Sequence, residues 1–240
     1  MTHPRTLLGI FVYNEGKKFH ALLDEPFWSS EPGVDVLVVD DGSTDGAEAL
    51  CQAKNLRCIR NDTNRGVGES IRRFLRLAHA EGYEYVVIMA GNGKMPPGEV
   101  PVFLEAAGRG YDYIQGSRFL KGFRSPNLPL FRLLAIRTGT AFFNFFLKNR
   151  YTDLSCGFRA YRVAPLFTDK RIDIAQDWLD KYELEYYIHY KFDTLGYKVT
   201  EAPCTMRYPV EAKNYSKIKP ITGWWSMLKP WFYLISGLKK

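Results

Sequence analysis

Two adjacent carboxylates, Asp40 and Asp41, follow the apolar residues 36–39 (VLVV) and precede a short Gly-Ser-Thr-Asp-Gly segment. Four apolar residues in a row, three of them β-branched, predict a strand that is buried on both faces, as in a parallel sheet. The carboxylates would then lie at the C-terminal end of that strand, where open α/β sheets bind ligands, and could accept hydrogen bonds from ribose hydroxyls or a base N–H. In a second interpretation, Ser43 or Thr44 caps the helix that follows, and one of the two carboxylates remains for a ligand.

Polar segments also follow the other predicted strands. Tyr13-Asn14-Glu15 comes after the apolar residues 6–12, and Ala90-Gly91-Asn92-Gly93-Lys94 comes after the apolar residues 85–89. Gly66-Val67-Gly68 stands where a helix begins; it can cradle a phosphate or make a tight turn into the helix, and the turn is the favoured interpretation. Because the ends of parallel strands share one edge of a sheet, the loops after the second and fourth strands are expected to meet at one crevice.

The elements that must position these residues alternate along the chain. Strands are predicted over residues 6–12, 34–39, 57–60 and 85–89, and helices over a segment ending at 23, over 47–54, from 66 through 78 and over 99–107. Pro96 and Pro97 can start the last of these helices. This alternation predicts an α/β fold with a Rossmann-like, mostly parallel central sheet and helices on both faces.

The composition narrows the class of protein. The 240 residues are 46% hydrophobic and 25% charged, enough for a sizeable core. Four cysteines without Cys-x-x-Cys pairs or histidines at zinc spacing predict reduced thiols rather than disulfides or a metal site.

The net charge of +7 is unevenly distributed along the chain. Between Arg118 and Arg162 there are nine basic residues and one acidic residue, and from Arg207 to the end there are seven basic residues and one acidic residue. Such segments suit phosphate groups or anionic lipid. No recognition helix or single-strand platform is apparent, so we do not expect nucleic-acid binding.

Eight motifs in order resemble the inverting family 2 glycosyltransferases of GT-A fold. The first four are Tyr13-Asn14-Glu15, residues 38–43 (VVDDGS), Asn64-x-Gly66-x-Gly68 and Gly116-Ser117-Arg118. The later four are similar to the dolichol-phosphate mannose synthase branch: residues 153–161 (DLSCGFRAY), residues 182–185 (YELE), residues 196–203 (GYKVTEAP), and Arg207 with Ser216-Lys217. The resemblance runs from the first strand to about residue 217.

The resemblance implies a UDP- or GDP-linked sugar donor and a polyprenyl phosphate acceptor of the dolichyl or undecaprenyl type, whose phosphate attacks the anomeric carbon with inversion. Carried over by position, it implies a donor site of Phe11, Tyr13, Glu15, Asp40, Asp41, Ala90, Gly91, Asn92, Lys94, Arg118, Arg207 and Lys217. The implied acceptor site is Arg137, Asp153 and Ser155, and the implied catalytic residues are Lys94, Asp153, Arg118 and Glu185. Fixed cations stabilise both a diphosphate leaving group and a phosphate nucleophile.

One departure from the family concerns the metal. The family's Asp-x-Asp motif, which holds Mg²⁺ or Mn²⁺ on the donor diphosphate, aligns with Ala90-Gly91-Asn92, so neither carboxylate is present. An amide oxygen is a poor sole ligand for a hard dication. We therefore expect no metal ligand here and expect the Lys94 ammonium to supply part of the metal's charge, which leaves Mg²⁺ or Mn²⁺ as an optional cofactor. The competing interpretation is a degenerate, inactive site.

The identity of a general base stays open. A phosphate acceptor is ionised near neutral pH, so transfer to it needs positioning and charge more than a strong base. Asp153 can orient Arg118 or Arg137, or lie by the acceptor. Glu185 can position the acceptor or form a structural ion pair. Two other functions remain: transfer to a soluble small molecule or saccharide, for which one of these carboxylates would be indispensable, and a catalytically degenerate nucleotide-sugar-binding module.

Two stretches bear on membrane contact. Residues 128–147 are rich in Leu and Phe but contain Arg132 and Arg137, which favours a helix on the lipid surface over a span; a packed helix with two functional arginines is the alternative. Residues 224–240 combine Trp224 and Trp225 with lysines, and Pro230 is expected to break that helix. We expect a cytoplasmic protein, peripheral at the inner face of the membrane.

The predicted organisation has three parts. Residues 1–118 form the half that binds the nucleotide-sugar, residues 119–217 form the acceptor half of the same GT-A domain, and residues 218–240 form an amphipathic, aromatic and basic C-terminal segment.

Overall fold

The computed structural model describes residues 3–26, 34–120, 125–208 and 222–239, with the backbone alone for 222–227. In this part of the chain, seven strands form one sheet in the order β3-β2-β1-β4-β6-β5-β7. They are β1 (Thr6–Val12), β2 (Val34–Asp40), β3 (Cys58–Arg60), β4 (Tyr85–Ala90), β5 (Tyr113–Ser117), β6 (Arg159–Arg162) and β7 (Val199–Pro203). Only β6 runs antiparallel to its neighbours among them. The predicted mostly parallel sheet is confirmed.

The helices alternate with the strands as predicted. They are α1 (Lys17–Leu23), α2 (Ala47–Ala53), α3 (Val67–Ala80), α4 (Val100–Gly108), α5 (Leu130–Phe143), α6 (Pro165–Thr168), α7 (Glu183–Thr194) and α8 (Thr222–Ile235), with 3₁₀ turns at Pro97–Glu99 and Asp177–Leu179. Pro97 begins a 3₁₀ turn that leads directly into α4, because its fixed φ and missing N–H suit the first turn of a helix.

Side-chain alternation along the strands produces two cores, one on each face of the sheet. On β2, Val38 packs into the core that contains α1, α2 and α4, whereas Leu37 and Val39 pack into the core that contains α3 and α7. Successive strand residues point to opposite faces, so a strand covered by helices on both sides must be apolar throughout. The predicted helices on both faces are confirmed.

The loop after β2 corrects one expectation. Helix α2 begins at Ala47 after Gly46, which has φ of 85° and no side chain to cap it, and the Ala47 N–H donates to Asp45 Oδ1 at 3.3 Å. The prediction that Ser43 or Thr44 caps this helix is therefore wrong. The Ser43 hydroxyl instead accepts the Asn14 N–H at 3.0 Å, and the Ser43 N–H donates to Asp40 Oδ1 at 2.9 Å. Ser43 thus ties the end of β2 to the loop after β1.

A second correction concerns Pro230. Helix α8 continues through it from Thr222 to Ile235, so the prediction of a break is wrong. The helix persists because Trp231 and Leu234 are buried against the rest of the protein, and Trp231 stacks on Phe143 of α5 at 5.2 Å between ring centroids. The side chains of Trp224 and Trp225 lie outside the described residues. No helix in the described ranges is long and apolar enough to cross a bilayer.

The described residues include all four cysteines of the chain. All four, Cys51, Cys58, Cys156 and Cys204, are free thiols. The sulfur atoms of Cys156 and Cys204 lie 3.5 Å apart in the core.

Candidate functional site

A cavity of about 600 Å³ opens at the C-terminal ends of β1, β2 and β4. The polar segments that follow these strands line it together, so the predicted crevice exists. Ten of the residues singled out from the sequence line this cavity: Phe11, Tyr13, Glu15, Asp41, Ala90, Asn92, Lys94, Arg118, Ser155 and Glu185. They come from separate parts of the chain, and the sheet edge brings them to one place.

Other singled-out residues lie elsewhere. Asp153 is fully buried behind the cavity wall, and Asp40 is buried beneath the loop after β2. A Cβ atom on Gly91 would lie 2.3 Å from Val12 Cγ1, so only glycine lets β4 leave the sheet so close to β1. Lys217 lies outside the described residues.

Two of the predicted arginines lie outside the cavity wall. Arg207 is half-exposed and donates to Glu25 at 2.6 Å, while its backbone N–H donates to the Lys94 carbonyl at 2.8 Å. Arg137 is exposed, lines a smaller neighbouring pocket and lies over the Phe119 ring at 5.2 Å.

Asp41 organises the loop that precedes α3. Its Oδ1 accepts from Asn61 Nδ2 at 2.8 Å and from the Arg65 N–H at 2.9 Å, and its Oδ2 accepts from the Gly66 N–H at 2.9 Å. A carboxylate oxygen can accept two hydrogen bonds, so Oδ2 retains capacity for one donor from the cavity. Asp41 can therefore shape the loop and contact a ligand at the same time.

The Gly-x-Gly segment makes a close backbone approach. A Cβ atom on Gly68 would lie 2.1 Å from the Leu179 carbonyl oxygen, and one on Gly66 would lie 2.5 Å from that of Asp180. The Glu69 N–H donates to the Asp180 carbonyl at 3.1 Å. The favoured interpretation, a tight turn into the helix, is confirmed. Glycines are needed there because the start of α3 packs against the backbone of residues 179–181.

The turn after β4 does not fit a divalent metal. The Asn92 side-chain oxygen accepts the Lys94 N–H at 3.1 Å, so the amide oxygen is engaged within its own turn. Ala90 offers no side-chain ligand. Among the described residues, no three His, Cys, Asp or Glu side chains are grouped to hold a metal ion. Mg²⁺ and Mn²⁺ prefer several carboxylate or phosphate oxygens, so this donor set does not match the metal that the family implies.

Arg118 lies at the end of β5 and its side chain is held on every side. Its Nε and Nη2 donate to the two oxygens of Asp153 at 2.6 and 2.8 Å, Nη2 also donates to the Ser155 hydroxyl, and Nη1 donates to the Tyr208 hydroxyl at 2.7 Å. Burial alone would raise the pKa of Asp153, but the charge and hydrogen bonds of Arg118 outweigh it and hold that pKa below its ordinary value. The pair is therefore ionised at neutral pH.

Glu201 of β7 supports this ion pair from behind. Its carboxylate accepts the backbone N–H groups of Thr152 and Asp153 at 2.9 and 3.1 Å and the Thr152 hydroxyl at 3.0 Å. The Thr152 hydroxyl in turn contacts that of Ser117 at 2.5 Å. The turn that carries Asp153 is thus fixed to β5 and β7, which explains the Glu in the 196–203 motif.

Glu185 and Arg159, which also line the cavity, form a second charged pair. Glu185 lies in the first turn of α7, and its Oε1 is 3.7 Å from Nε of the buried Arg159. Arg159 also donates to the carbonyl oxygens of Cys156 at 2.9 Å and Glu185 at 2.8 Å. Burial raises the pKa of Glu185, and Arg159 offsets only part of that effect.

The cavity also has an apolar end, which the sequence reasoning missed. It lies between α5 and α8 and is lined by Ala135, Ile136, Gly139, Phe143, Leu154, Leu228 and Trp231. The cavity-lining residues Lys18, Arg132, Arg159, Lys181, Met206 and Tyr208 were likewise not assigned to the site. The sequence offered one signal for these residues, because Arg132 and Arg159 belong to the basic segment between Arg118 and Arg162. Spacing alone does not show which basic side chains of that segment face the cavity.

Known proteins resemble this chain in sequence and in fold. A protein-family model described as glycosyl transferase family 2 matches residues 8–167. The polyprenol monophosphomannose synthase of Mycolicibacterium smegmatis is 29% identical over 207 residues, which is 84% of this chain and 77% of that protein. The undecaprenyl-phosphate mannosyltransferase of Micrococcus luteus is 29% identical over 206 residues, covering 84% of this chain and 83% of that protein.

Solved structures share the fold. Glucosyl-3-phosphoglycerate synthase from Mycobacterium tuberculosis, in complex with phosphoglyceric acid, matches with a TM-score of 0.69 at 17% identity over 99% of this chain and 81% of that chain. A mannosyltransferase from Pyrobaculum calidifontis, in complex with GDP-Man and Mn²⁺, matches with a TM-score of 0.60 at 17% identity over 90% of this chain and 59% of that chain. The fold is therefore GT-A.

Proposed function

The chain belongs to glycosyl transferase family 2, and from that premise we propose that it transfers a sugar, with inversion, from a nucleoside diphosphate to a polyprenyl phosphate at a membrane surface. One observation carries the proposal. A single cavity joins a polar, cationic end at the sheet edge to an apolar end between α5 and α8. A nucleotide-sugar suits the first end and the start of a prenyl chain suits the second.

The donor end supports nucleotide binding. Phe11, Tyr13 and Glu15 extend from β1 along one wall, and Asp41 keeps one oxygen with capacity for a base or ribose donor. Lys94 lies on the loop after β4 and lines the same cavity, where its ammonium would meet the diphosphate. A nucleotide placed across the ends of β1, β2 and β4 follows the general rule for ligands of open α/β sheets.

The acceptor end supports a lipid phosphate. Arg118 and Arg132 both line the cavity and both lie beside Tyr208. Arg132 belongs to α5, the helix that also lines the apolar end. The prenyl chain would continue from there past Gly139, where a Cβ atom would meet nothing within 4 Å, toward Leu228 and Trp231. Burying apolar chain contributes about 25 cal/mol per Å², so a short length already provides useful affinity.

In the proposed reaction, a phosphate oxygen of the acceptor forms a bond to the anomeric carbon from the face opposite the donor. The bond from that carbon to the donor diphosphate breaks, and the nucleoside diphosphate leaves with the electron pair. Arg118 orients the nucleophile, and the Lys94 ammonium stabilises charge on the leaving group. Because the acceptor is ionised already, no side chain needs to remove a proton, and Asp153 serves to hold Arg118 in place.

Metal independence is part of the proposal. The turn at Ala90, Asn92 and Lys94 lacks carboxylates and brings the Lys94 side chain to the cavity instead. An ammonium carries less charge than a dication but needs no ligand set. No step of the proposed reaction requires Mg²⁺ or Mn²⁺.

Membrane contact is supported by where the exposed apolar residues lie. Eight large apolar side chains on α5, on α8 and on the residues that directly follow these two helices are exposed: Leu130, Phe131, Leu134, Phe142, Phe145, Phe146, Phe232 and Leu238. We call these the lipid-facing surface. Basic residues Arg137 and Arg150 stand beside it, and the one acid of the surrounding segment, Asp153, is buried. Apolar side chains with a cationic rim suit an anionic bilayer.

The test is a transfer assay with UDP- and GDP-linked sugars and a short-chain polyprenyl phosphate. We expect one donor to yield a glycosyl phosphoprenol whose anomeric configuration, read by NMR coupling constants, is opposite to that of the donor. A protein that binds no nucleotide-sugar, or that glycosylates only soluble hydroxyl acceptors, would contradict the proposal.

A further inference from the structure

Two polar hydrogens in the cavity wall converge on one weak acceptor, the sulfur of Met206. Arg118 Nη1 lies 3.8 Å from Met206 Sδ, and the Tyr208 hydroxyl donates to the same sulfur at 3.2 Å. All three side chains line the cavity. A thioether accepts hydrogen bonds poorly, so these two donors gain little from the sulfur. Other contacts hold them at the cavity.

Those other contacts are strong. Arg118 is fixed through Nε and Nη2 by Asp153, and its Nη1 also donates to the Tyr208 oxygen at 2.7 Å. Tyr208 is buried, and its carbonyl accepts from Asn127 Nδ2 at 3.0 Å. The Thr205 N–H, one residue before Met206, donates to Glu99 at 2.7 Å. The two donors are therefore pre-positioned, and Met206 can give way without breaking any of these bonds.

The charge around the two donors favours an anion. The Arg132 guanidinium lies 6.0 Å from the centroid of the Tyr208 ring, and Arg118 touches the hydroxyl itself. Burial raises the pKa of Tyr208 although both arginines act against it, so the phenol keeps its proton at neutral pH and remains a donor. An anionic oxygen forms hydrogen bonds roughly twice as strong as a neutral acceptor does.

We propose that Tyr208 is a phosphate-binding residue, whose hydroxyl and Arg118 Nη1 together form a two-donor site for a phosphate oxygen that exchanges with the Met206 sulfur. This inference rests on the proposed function and deepens it by naming a binding residue outside the motifs carried over from the family. The ligand chemistry is a phosphate oxygen, from either the donor diphosphate or the acceptor monophosphate.

Calorimetric titration of three variants tests the inference, with UDP, GDP and a C15 prenyl monophosphate as probes. Tyr208→Phe should weaken binding of at least one phosphate ligand about tenfold, because it removes one charge-assisted hydrogen bond. Met206→Leu should bind that ligand about two- to threefold more tightly, because both donors lose their competing acceptor. Tyr197→Phe, which removes a hydroxyl that donates to Asp169 outside the cavity, should bind like the wild type.

The outcomes separate the possible sources of phosphate. A loss confined to the nucleotides assigns the site to the donor, and a loss confined to the prenyl phosphate assigns it to the acceptor. Unchanged binding of every ligand by Tyr208→Phe, or weaker binding by Met206→Leu, would overturn the inference. If Tyr208→Phe does not fold, the inference is still tested by whether Met206→Leu binds the phosphate ligand more tightly or more weakly than the wild type. A wild-type protein that binds no probe would instead refute the proposed function.

Discussion

Arg118 and Asp153 form a two-pronged ion pair in which both side chains are almost completely buried, with Nε to Oδ2 at 2.6 Å and Nη2 to Oδ1 at 2.8 Å. Both carboxylate oxygens face the guanidinium, and Ser155 donates to Oδ1 as well. This geometry suits a carboxylate that orients an arginine rather than one that takes a proton from a substrate. It favours one of the two roles that the sequence left open for Asp153.

Replacing Asp153 should damage the fold as well as the site. Asp153→Asn leaves the buried Arg118 charge without its partner, and breaking such a pair costs about 3–5 kcal/mol. We expect a large drop in the denaturant midpoint together with loss of transfer. Glu105→Gln is the control, since it breaks an exposed pair with Arg109 and should change stability by less than about 1 kcal/mol. Equal midpoints for the two variants would show that the buried pair contributes nothing.

The pattern of apolar and polar residues was enough to predict the first half of the sheet. Residues 36–39 and 85–89 are continuous apolar runs because both faces of the sheet are covered, and that signal is local. The strands β5, β6 and β7 were not predicted as strands. They are short, contain Gly116, Arg159 and Glu201, and owe their strand structure to pairing with distant segments.

The candidate site, like the sheet, was predicted from the sequence only in part. Residues at strand ends, such as Asp41 and Lys94, were predicted to share a crevice because sheet topology places every such end at one edge. Met206 and Tyr208 were missed, since their place beside Arg118 depends on hydrogen bonds between segments some ninety residues apart. The apolar end of the cavity was missed because it forms only when α8 packs on α5.

Lys94 should matter more than any divalent cation. We expect wild-type transfer to persist in excess EDTA, and Lys94→Met to lower kcat by about 10²–10³-fold, the usual effect of removing one group that stabilises developing charge. The double variant Ala90→Asp with Asn92→Asp restores the two carboxylates and should make transfer respond to Mn²⁺. Strict dependence of the wild type on added Mn²⁺ or Mg²⁺ would contradict this prediction.

Glu185 should destabilise the fold at neutral pH. Burial raises its pKa above the ordinary value of 4.5, so the folded protein holds this proton more tightly than the unfolded chain does. The stability associated with that proton is complete below about pH 4.5 and is lost as pH rises through the folded pKa. Glu185→Gln should therefore unfold at a higher temperature than the wild type near pH 7, with the gap closing toward pH 4. If the difference in unfolding temperature between the variant and the wild type stays constant from pH 4 to pH 7, titration of Glu185 is not its cause.

The same substitution tests the nature of the acceptor. Transfer to a phosphate needs no general base, so Glu185→Gln should keep kcat within about tenfold of the wild type. General-base catalysis contributes about 10²–10⁴-fold, so a loss of that size would indicate a hydroxyl acceptor instead. Glu105→Gln again provides the exposed control.

Gly68 should tolerate no side chain. A Cβ atom there would lie 2.1 Å from the Leu179 carbonyl, so Gly68→Ala must push α3 away from residues 179–181. Overpacking of this kind costs about 1–3 kcal/mol, and a backbone clash leaves little room for relief. Gly98→Ala is the matched control, since its Cβ would meet nothing within 4 Å. The two denaturant midpoints should differ clearly, with Gly98→Ala near the wild type.

The lipid-facing surface should govern binding to membranes. Phe145 is 77% and Phe146 45% exposed on the turn after α5, and fully burying one such side chain contributes about 1.5–3 kcal/mol. The double variant Phe145→Ser with Phe146→Ser should therefore bind anionic liposomes at least about tenfold more weakly in flotation, while its affinity for nucleotides stays at the wild-type value. Among exposed arginines, Arg150→Ala beside Phe145 should weaken binding by several fold at low salt, because each surface cation contributes about 1 kcal/mol. Arg109→Ala, at the residue that directly follows α4, should not weaken it. Equal flotation of all four proteins would show that another surface meets the lipid.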